Sequence, residues 1–455
     1  ISLMDPRRVE QQVDDLLRAQ PEVILMVGGT DGGATDSVLR LTDVVGLAVE
    51  LMPEGHRPRL VFAGNRRLGA AVNERLSGRA PVTITPNIRP SLELEDLGPT
   101  RAKLGEVVTE LRSLRVSGFD ELRQWSGGYF APAAESLGRI VRYMSQIYGP
   151  EKGVLGIDLG AGHTTVAAAF GGELRLAVHT DIGMGSSLRG LLENDGTGRA
   201  MHWLPAEISE AAFLDYVHNK ILHPATIPGE PEELHLEYAL ARQCIRTSFL
   251  RARTSWPRLK GSLGPSVTPP LEPIVVSGAT FGRAPRPGFA ALAVLDSIQP
   301  TGITTLVLDP HNLLSCLGVV AGAVPLAAVQ VLESGSFANL GTVVSPVGRS
   351  KPGRPVMRYV LERDGGDQRV EGVARFGQVL VLPLDQGQQG KLTLRPVRAF
   401  DVGFGGPGKA GAVRVTGGAV GLILDTRGRP LELTHDPVKR REQNTKWLWD
   451  IGALS

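Results

Sequence analysis

At 455 residues the chain is longer than one comfortable core, and its length points to about three domains. Its 49 basic and 47 acidic residues leave a net charge of +2, which gives no bulk attraction to nucleic acid or anionic lipid, so neither is expected as a partner. The 56 glycines and 32 prolines promise many turns, and the two cysteines, Cys244 and Cys316, suit a reducing cytoplasm while leaving open a chance pair or a reactive thiol.

The opening "ISLMDPRRVEQQ" has neither a basic n-region nor an apolar h-region and is not a signal peptide; with no initiator Met, residues upstream are expected. Asp5-Pro6 is expected to start a helix with Pro6 in its first position and Val9, Val13, Leu16 and Leu17 on one face. "VILMV" (23–27) reads as a continuous buried strand, and a helix begins near Thr35 after a glycine loop. Strands at 59–65 and 82–87, with a helix between them, predict a parallel sheet covered on both faces. Further helices are expected at 100–115 and 132–148.

A second unit begins at Gly153, with strands on either side of a glycine turn and a third strand at 173–180, so it starts antiparallel. Helices at about 187–193, 209–222 and 231–250 follow, then a Pro-rich link (261–273), a strand (274–278), a helix (288–298) and a strand (304–309). The uncharged run 313–332 is about long enough to span a bilayer. Pro325, Gln330, Ser315 and flanks without cationic or aromatic anchors favour a buried helix and strand pair instead, with no membrane partner. After Val344, short strands broken by Gly, Pro and Asp-Gly turns suggest a small β-sandwich or barrel. The expected division is therefore 1–150, an α/β domain with parallel strands; 151–343, a second α/β domain; and 344–455, a β-rich domain.

Three segments carry candidate chemistry. In "GVLGIDLGAGHTTVAAAF" (153–170), Asp158 ends a strand and Gly160, Ala161 and Gly162 form the turn, where backbone amides can converge on an anion. Asp158 beside that cradle is placed to hold Mg²⁺ through water, and the side chains of His163, Thr164 and Thr165 follow it. The same pattern also serves as a plain hairpin with Asp158 as a local cap. "VGGTDGGATDS" sets Gly28, Gly29, Thr30, Asp31, Gly32 and Gly33 before a helix, an arrangement that suits either an anion loop or a tight strand-to-helix turn. It is neither a P-loop nor a dinucleotide fingerprint. "VVSGATFGRAP" again runs a strand into glycines, so that Gly278 and Ala279 offer backbone for a base or ribose to lie against. His163, His179 and Asp181 stand on different strands and make no metal set.

In combination these segments resemble the actin-like ATPase superfamily, whose second phosphate hairpin reads approximately D-[IL]-G-G-G-T-T-D. Asp158, Gly160 and Gly162 match it, while Ala161, His163 and Thr165 replace Gly, Thr and Asp. A closer similarity is to the MutL (GlmL) family, accessory proteins of the cobalamin-dependent glutamate mutase. It is carried by "MVGGTDGGATDSVLRL", "VFAGNRRLGAAV", "YFAPAAESLGRI", the hairpin, "HTDIGMGSSLRGLL" and "LDPHNLLSCLGVVAG", in family order over residues 20–325. The resemblance implies an actin-like fold plus a C-terminal all-β domain, and ATP with Mg²⁺ in a cleft between the first two domains, which close about it. It assigns the Gly160, Ala161 and Gly162 amides and Thr164 to phosphate, Asp158 to Mg²⁺-bound water and Gly278 to adenosine. It also implies a cobalamin-dependent mutase as partner and leaves a homo-oligomer open. The superfamily's first hairpin, D-x-G-x-x-x-T, is absent, which favours a partial site and a non-hydrolysing scaffold as the rival reading; a small-molecule kinase is a third.

Overall fold

The first apolar periodicity forms helix α1 (Val9–Ala19), which starts after Arg8, so Pro6 lies before the helix and not in its first turn. The structure is a computed structural model and describes residues 1–2, 4–149, 151–257, 267–365 and 369–454. After α1 come β1 (Val23–Met26), α2 (Asp36–Leu51), β2 (Arg59–Phe62), α3 (Gly69–Leu76), β3 (Val82–Ile84), α4 (Gly98–Arg115) and a short α5 (Phe119–Trp125). The three strands are parallel in the order β1-β2-β3. Two right-handed crossovers stepping the same way put α2 and α3 on one face. There Val45, Val49 and Leu76 pack with Met26, Leu60 and Phe62. Helix α4 is tied to the strands by Arg59–Glu110 and by Thr85 to Thr100 at 3.1 Å. Leu25 stays 44 % exposed, so the strand at 23–27 is covered less completely than its apolar run suggests.

The chain divides by its internal contacts into Ile1–Phe130 and Ala131–Ser455. That division differs from the expected three. Helix α6 (Ala133–Ile147), assigned from sequence to the first domain, buries Leu137, Ile140 and Val141 with Val154 and Ala167 of the second unit. The amphipathic stripe of α6 had no feature saying which sheet it would meet.

The second unit continues with β4 (Gly153–Leu159), β5 (Thr164–Phe170), β6 (Glu173–His179), α7 (Leu188–Met201), α8 (Glu210–Leu222) and α9 (Pro231–Arg253). Part of the proline-rich link, 261–266, lies outside the described residues; the chain resumes before β7 (Leu271–Ser277). Then follow α10 (Ala279–Gly282), α11 (Pro287–Ile298), β8 (Gly302–Asp309), α12 (Leu313–Ala323), α13 (Pro325–Glu333) and β9 (Ala338–Ser345). The uncharged run 313–332 is thus two helices broken at Pro325, not a helix and strand, because a proline ring cannot continue the first helix. Among the described residues no helix is long and apolar enough to cross a membrane.

The last part supplies β10 (Pro355–Arg363), β11 (Arg369–Arg375), β12 (Val379–Leu382), β13 (Gln389–Pro396), β14 (Gly411–Thr416), β15 (Leu422–Asp425) and α14 (Pro437–Asp450). One sheet has the order β12-β15-β9-β8-β7-β4-β5-β6, and a four-stranded antiparallel sheet has the order β11-β10-β13-β14. The segment 344–455 is therefore not a self-contained sandwich. The short β12 and β15, apolar but for Asp425, extend the large sheet, and the four-stranded sheet packs Leu361, Leu392 and Leu394 on Leu422 and Leu424. Along the large sheet the pleat sends alternate residues to opposite faces. Leu155, Ile157, Ile274 and Val276 join the core beneath α9 and α11, while Val154 and Val275 join the core beneath α6 and α12. Burial on both faces explains why these strands read as unbroken apolar runs.

A buried ionic chain binds the C-terminal part to this sheet. Arg242 of α9 meets Asp296 of α11 at 2.7 Å; Asp296 meets Arg427 at 2.6 Å, and Arg427 meets Asp425 at 2.8 Å. Arg429 also binds Asp425, at 2.5 Å, and the Arg427 guanidinium lies 4.7 Å from the Trp447 ring centre on α14. Burial opposes the charge on Asp425, but Arg427 and Arg429 outweigh it and hold its carboxyl below the usual range. Removing one member of such a chain strands the others without solvent. Asp425→Ala is expected to lower stability by about 3–5 kcal/mol. Asp43→Ala, which breaks an exposed pair with Arg75, is expected to cost under about 1 kcal/mol, and urea unfolding of the two variants checks both values.

Candidate functional site

The register of three neighbouring strands brings polar residues into a row at one edge of the large sheet. Asp158 on β4 stands opposite Ser277 on β7, which stands opposite Asp309 on β8, and all three strands are parallel. In such sheets the carboxyl ends of the strands are where helices begin and ligand crevices form. The Ser277 hydroxyl lies 3.0 Å from Asp309 Oδ2 and 3.2 Å from Asn312 Oδ1. Asn312 Oδ1 also accepts the Gly278 amide at 2.9 Å, and Asp309 accepts the amides of Leu313 and Leu314, both at 2.9 Å, capping α12. Gly278 has φ +122°, and a Cβ there would lie 2.3 Å from the Leu159 carbonyl oxygen. Only glycine lets the chain pass this close to β4.

The turn from β4 to β5 is Gly160-Ala161-Gly162-His163. The Gly160 amide donates to the His163 carbonyl at 3.0 Å, closing the turn. The segment 183–187 clasps it from outside. The Met184 amide donates to the Gly160 carbonyl at 2.9 Å, and the Ser187 hydroxyl donates to the Gly162 carbonyl at 2.7 Å. Gly183 lets this segment approach, since a Cβ there would lie 2.7 Å from the Ala161 carbonyl. The Gly160, Gly162 and His163 carbonyls are thus occupied, whereas the Ala161 and Gly162 amides meet no protein acceptor among the described residues, and the space beside Gly162 is open.

These elements border a cleft of about 790 Å³ built wholly from second-unit residues. Asp158, Gly160 and Ala161 line one side, Gly278 and Ala279 the floor, and Arg283 and Arg286 the α10–α11 side. The opposite wall is a buried polar knot. Glu237 of α9 binds Lys220 Nζ at 3.0 Å and accepts the Tyr216 hydroxyl at 2.6 Å and the Thr280 hydroxyl at 3.0 Å. Lys220 Nζ also donates to the Thr226 carbonyl at 2.7 Å, which ties down the loop rimming the cleft. Burial raises the pKa of Asp158; the nearby His163 opposes that rise and Asp309 adds to it.

The structure therefore gathers Asp158, Gly160, Ala161, Gly278 and Ala279 on one cleft. Gly162 and His163 belong to the same turn but not to the cleft lining. Thr164 is turned away: it is fully buried, and its hydroxyl donates to the Ile182 carbonyl at 2.9 Å, so it does not face a phosphate position. Thr165 is likewise buried, opposite Asp158, with its hydroxyl unpartnered. The loop Gly28, Gly29, Thr30, Asp31, Gly32, Gly33 lies in the first unit and is latched within it. Asp31 Oδ1 accepts the Arg66 amide and the Asn87 side chain, each at 2.9 Å, and these two bonds hold its pKa down. The amides of Asp31, Gly32 and Gly33 already donate to Pro90, Asn65 and Thr30 oxygens, which leaves them nothing for an anion. Sequence reading missed Ser277, Asp309, Asn312, Lys220 and Glu237. Asp309 and Asn312 had a usable signal, a strand ending in Asp with a helix four residues on; Lys220 and Glu237 had none.

A mixed-sheet α/β protein with a glycine turn and a ligand-sized cleft at the carboxyl ends of parallel strands is the class that this geometry defines. The profile of a family described as "MutL protein" matches residues 3–335. A curated protein named "Protein MutL", from Clostridium tetanomorphum, is 21 % identical over 358 residues, covering 71 % of this chain and 74 % of that protein. The chain belongs to the MutL protein family.

Two outcomes follow from the site's physics. A carboxyl whose pKa is raised on folding makes the folded state less stable as pH rises past the ordinary aspartate value. Asp158→Asn is therefore expected to raise the unfolding midpoint at pH 7, with the gain vanishing as pH falls through the ordinary aspartate range; thermal scans against pH check this. Gly278→Val forces β-carbon bulk against the Leu159 carbonyl and is expected to cost at least about 3 kcal/mol, measured in urea.

Proposed function

We propose that this protein is an accessory factor of a cobalamin-dependent mutase of the glutamate mutase kind, and that the second-unit cleft is an actin-like nucleotide site that gates its action. The observation that carries this reading is the convergence of the Asp158–Ala161 turn and the Gly278–Ala279 turn, 120 residues apart in sequence, on one cleft. Its volume falls within the roughly 300–1,000 Å³ of small-ligand and cofactor pockets.

The residues fit a magnesium nucleotide in three respects. The unpaired Ala161 and Gly162 amides present donors to phosphate oxygens. Asp158 offers a carboxylate beside them for a hydrated Mg²⁺. Gly278 and Ala279 present bare backbone, flanked by Arg283, to the nucleoside end. A bound Mg²⁺ would supply neutralisation of phosphate charge. Asp158 would hold that ion through its water and the turn amides would hold the phosphate tail, while the Lys220–Glu237 knot fixes the far wall. Release of damaged cofactor from the mutase, gated by occupation of this site, is the working role.

The buried Thr164 hydroxyl favours a second reading, a nucleotide-free scaffold that keeps the hairpin for shape and binds its partner through the β10–β14 part. Binding of a fluorescent adenine nucleotide to the full chain separates the two. The nucleotide reading expects Mg²⁺-dependent saturation, weakened about tenfold or more in Asp158→Ala, with any ATP turnover lost in that variant. The scaffold reading expects no nucleotide affinity in the wild-type protein.

A further inference from the structure

The helical side of the large sheet carries a second cavity, of about 600 Å³, between the end of α7, the second half of α9 and the strap at 431–433. None of its lining residues is shared with the nucleotide cleft. Three guanidinium groups face it, those of Arg199, Arg246 and Arg251, against one carboxylate, Asp195. Arg199 pairs with Asp195 at 3.2 Å, and Arg251 pairs with Asp181 at 2.7 Å. Arg246 has no such partner: among the described residues its hydrogen bond is a long one, 3.4 Å, to the Ser297 carbonyl.

Asp296, the acid whose charge acts on Arg246, is already shared by Arg242 and Arg427. Arg242, Arg246, Arg427 and Arg429 therefore make four cations against two carboxylates, Asp296 and Asp425. A half-buried guanidinium at a cavity wall without a carboxylate partner is open to an anion. Consistent with that, burial pulls the Arg246 pKa down; Asp296 opposes the shift and Arg199 adds to it.

The rest of the lining is mixed: Trp203, Leu250, Leu431 and Leu433 give it apolar surface, and His202, Gln243, Thr247, Thr254 and Gln299 are polar. The strap is fixed in place, because the Leu431 amide donates at 2.9 Å to the side chain of Gln299, itself held at φ +53°. A non-glycine residue in that conformation marks a position the surroundings hold firmly.

We propose that this cavity binds a small phosphate ester, its phosphate held by Arg246 and Arg199 and its apolar body lying against Trp203 and Leu431. Planar guanidinium forks match phosphate oxygens in pairs, and the apolar wall gives the site a preference for an ester over the free ion. The proposal stands independently of the nucleotide cleft.

Calorimetric titration of the full chain with phenyl phosphate and with inorganic phosphate, at low salt, tests it. The expected result is saturable binding of phenyl phosphate, tighter than inorganic phosphate. It weakens about tenfold or more in both Arg246→Met and Arg199→Met and is unchanged in Arg283→Met, which alters the other cleft. The Arg199 side chain is 68 % exposed, so Arg199→Met carries the test even where Arg246→Met does not fold. Absence of saturable binding, equal affinity in the folded pocket variants, or loss in Arg283→Met in place of the pocket variants overturns the proposal.

Discussion

The candidate site depends on one close approach, that of Gly278 to the Leu159 carbonyl. A Cβ at this position would stand 2.3 Å from that oxygen, so β7 could not hand over to α10 beside β4 with any other residue. Because the chain passes there, the Gly278 amide reaches Asn312 and Ser277 reaches Asp309, and the ends of β7 and β8 become one polar lattice. That lattice stands beside Asp158, whose pKa the charge of Asp309 helps to raise. Asp309 spends its oxygens on the first amides of α12, so it is structural, while Asp158 is left with the cleft in front of it. Two carboxylates in one strand row thus have different work, set by their neighbours.

The second organising feature is the buried ionic chain from Arg242 to Arg429. It joins α9, α11 and the segment after β15, while Trp447 of α14 covers it from outside. It locks in place the end of β15, which with β12 extends the hairpin's sheet. Its three guanidinium groups face two carboxylates, and Arg246, one turn along α9 from Arg242, lines the second cavity. A group that neutralises Arg246 would consolidate α9, and α9 also carries Glu237 of the cleft wall. The two cavities accordingly share one rigid element, although no lining residue is common to both.

Much of this was legible in sequence because burial on both faces leaves an unbroken apolar run, as in "IVVSG" and "TTVAAAF". The hairpin, the crossover order of the first sheet and the glycine after β7 could all be read in that way. What failed did so for identifiable reasons. The fragments "VLVL" and "LILD" look like strands of a local sandwich, and nothing in four residues says that they complete a distant sheet. Helix α14 is rich in charge and has little apolar periodicity, although Asp436-Pro437 is a cap followed by a first-turn proline, with the Asp436 side chain accepting the Val438 and Lys439 amides. Thr164 reads as a phosphate ligand because its spacing fits, but the Ile182 carbonyl that accepts its hydroxyl's hydrogen bond comes from a loop eighteen residues on. Spacing along one hairpin is silent about what another loop brings to it.

The central claim is that the 158–162 turn and the 277–280 turn act together as the two sides of one nucleotide site. Hydrogen–deuterium exchange of the full chain, with and without Mg²⁺ and ATP, tests it most directly. The account predicts that peptides covering Leu159–His163 and Ser277–Phe281 gain protection together, while the latched loop 28–33 does not change. Nucleotide-dependent protection confined to other segments, or none anywhere, would contradict it.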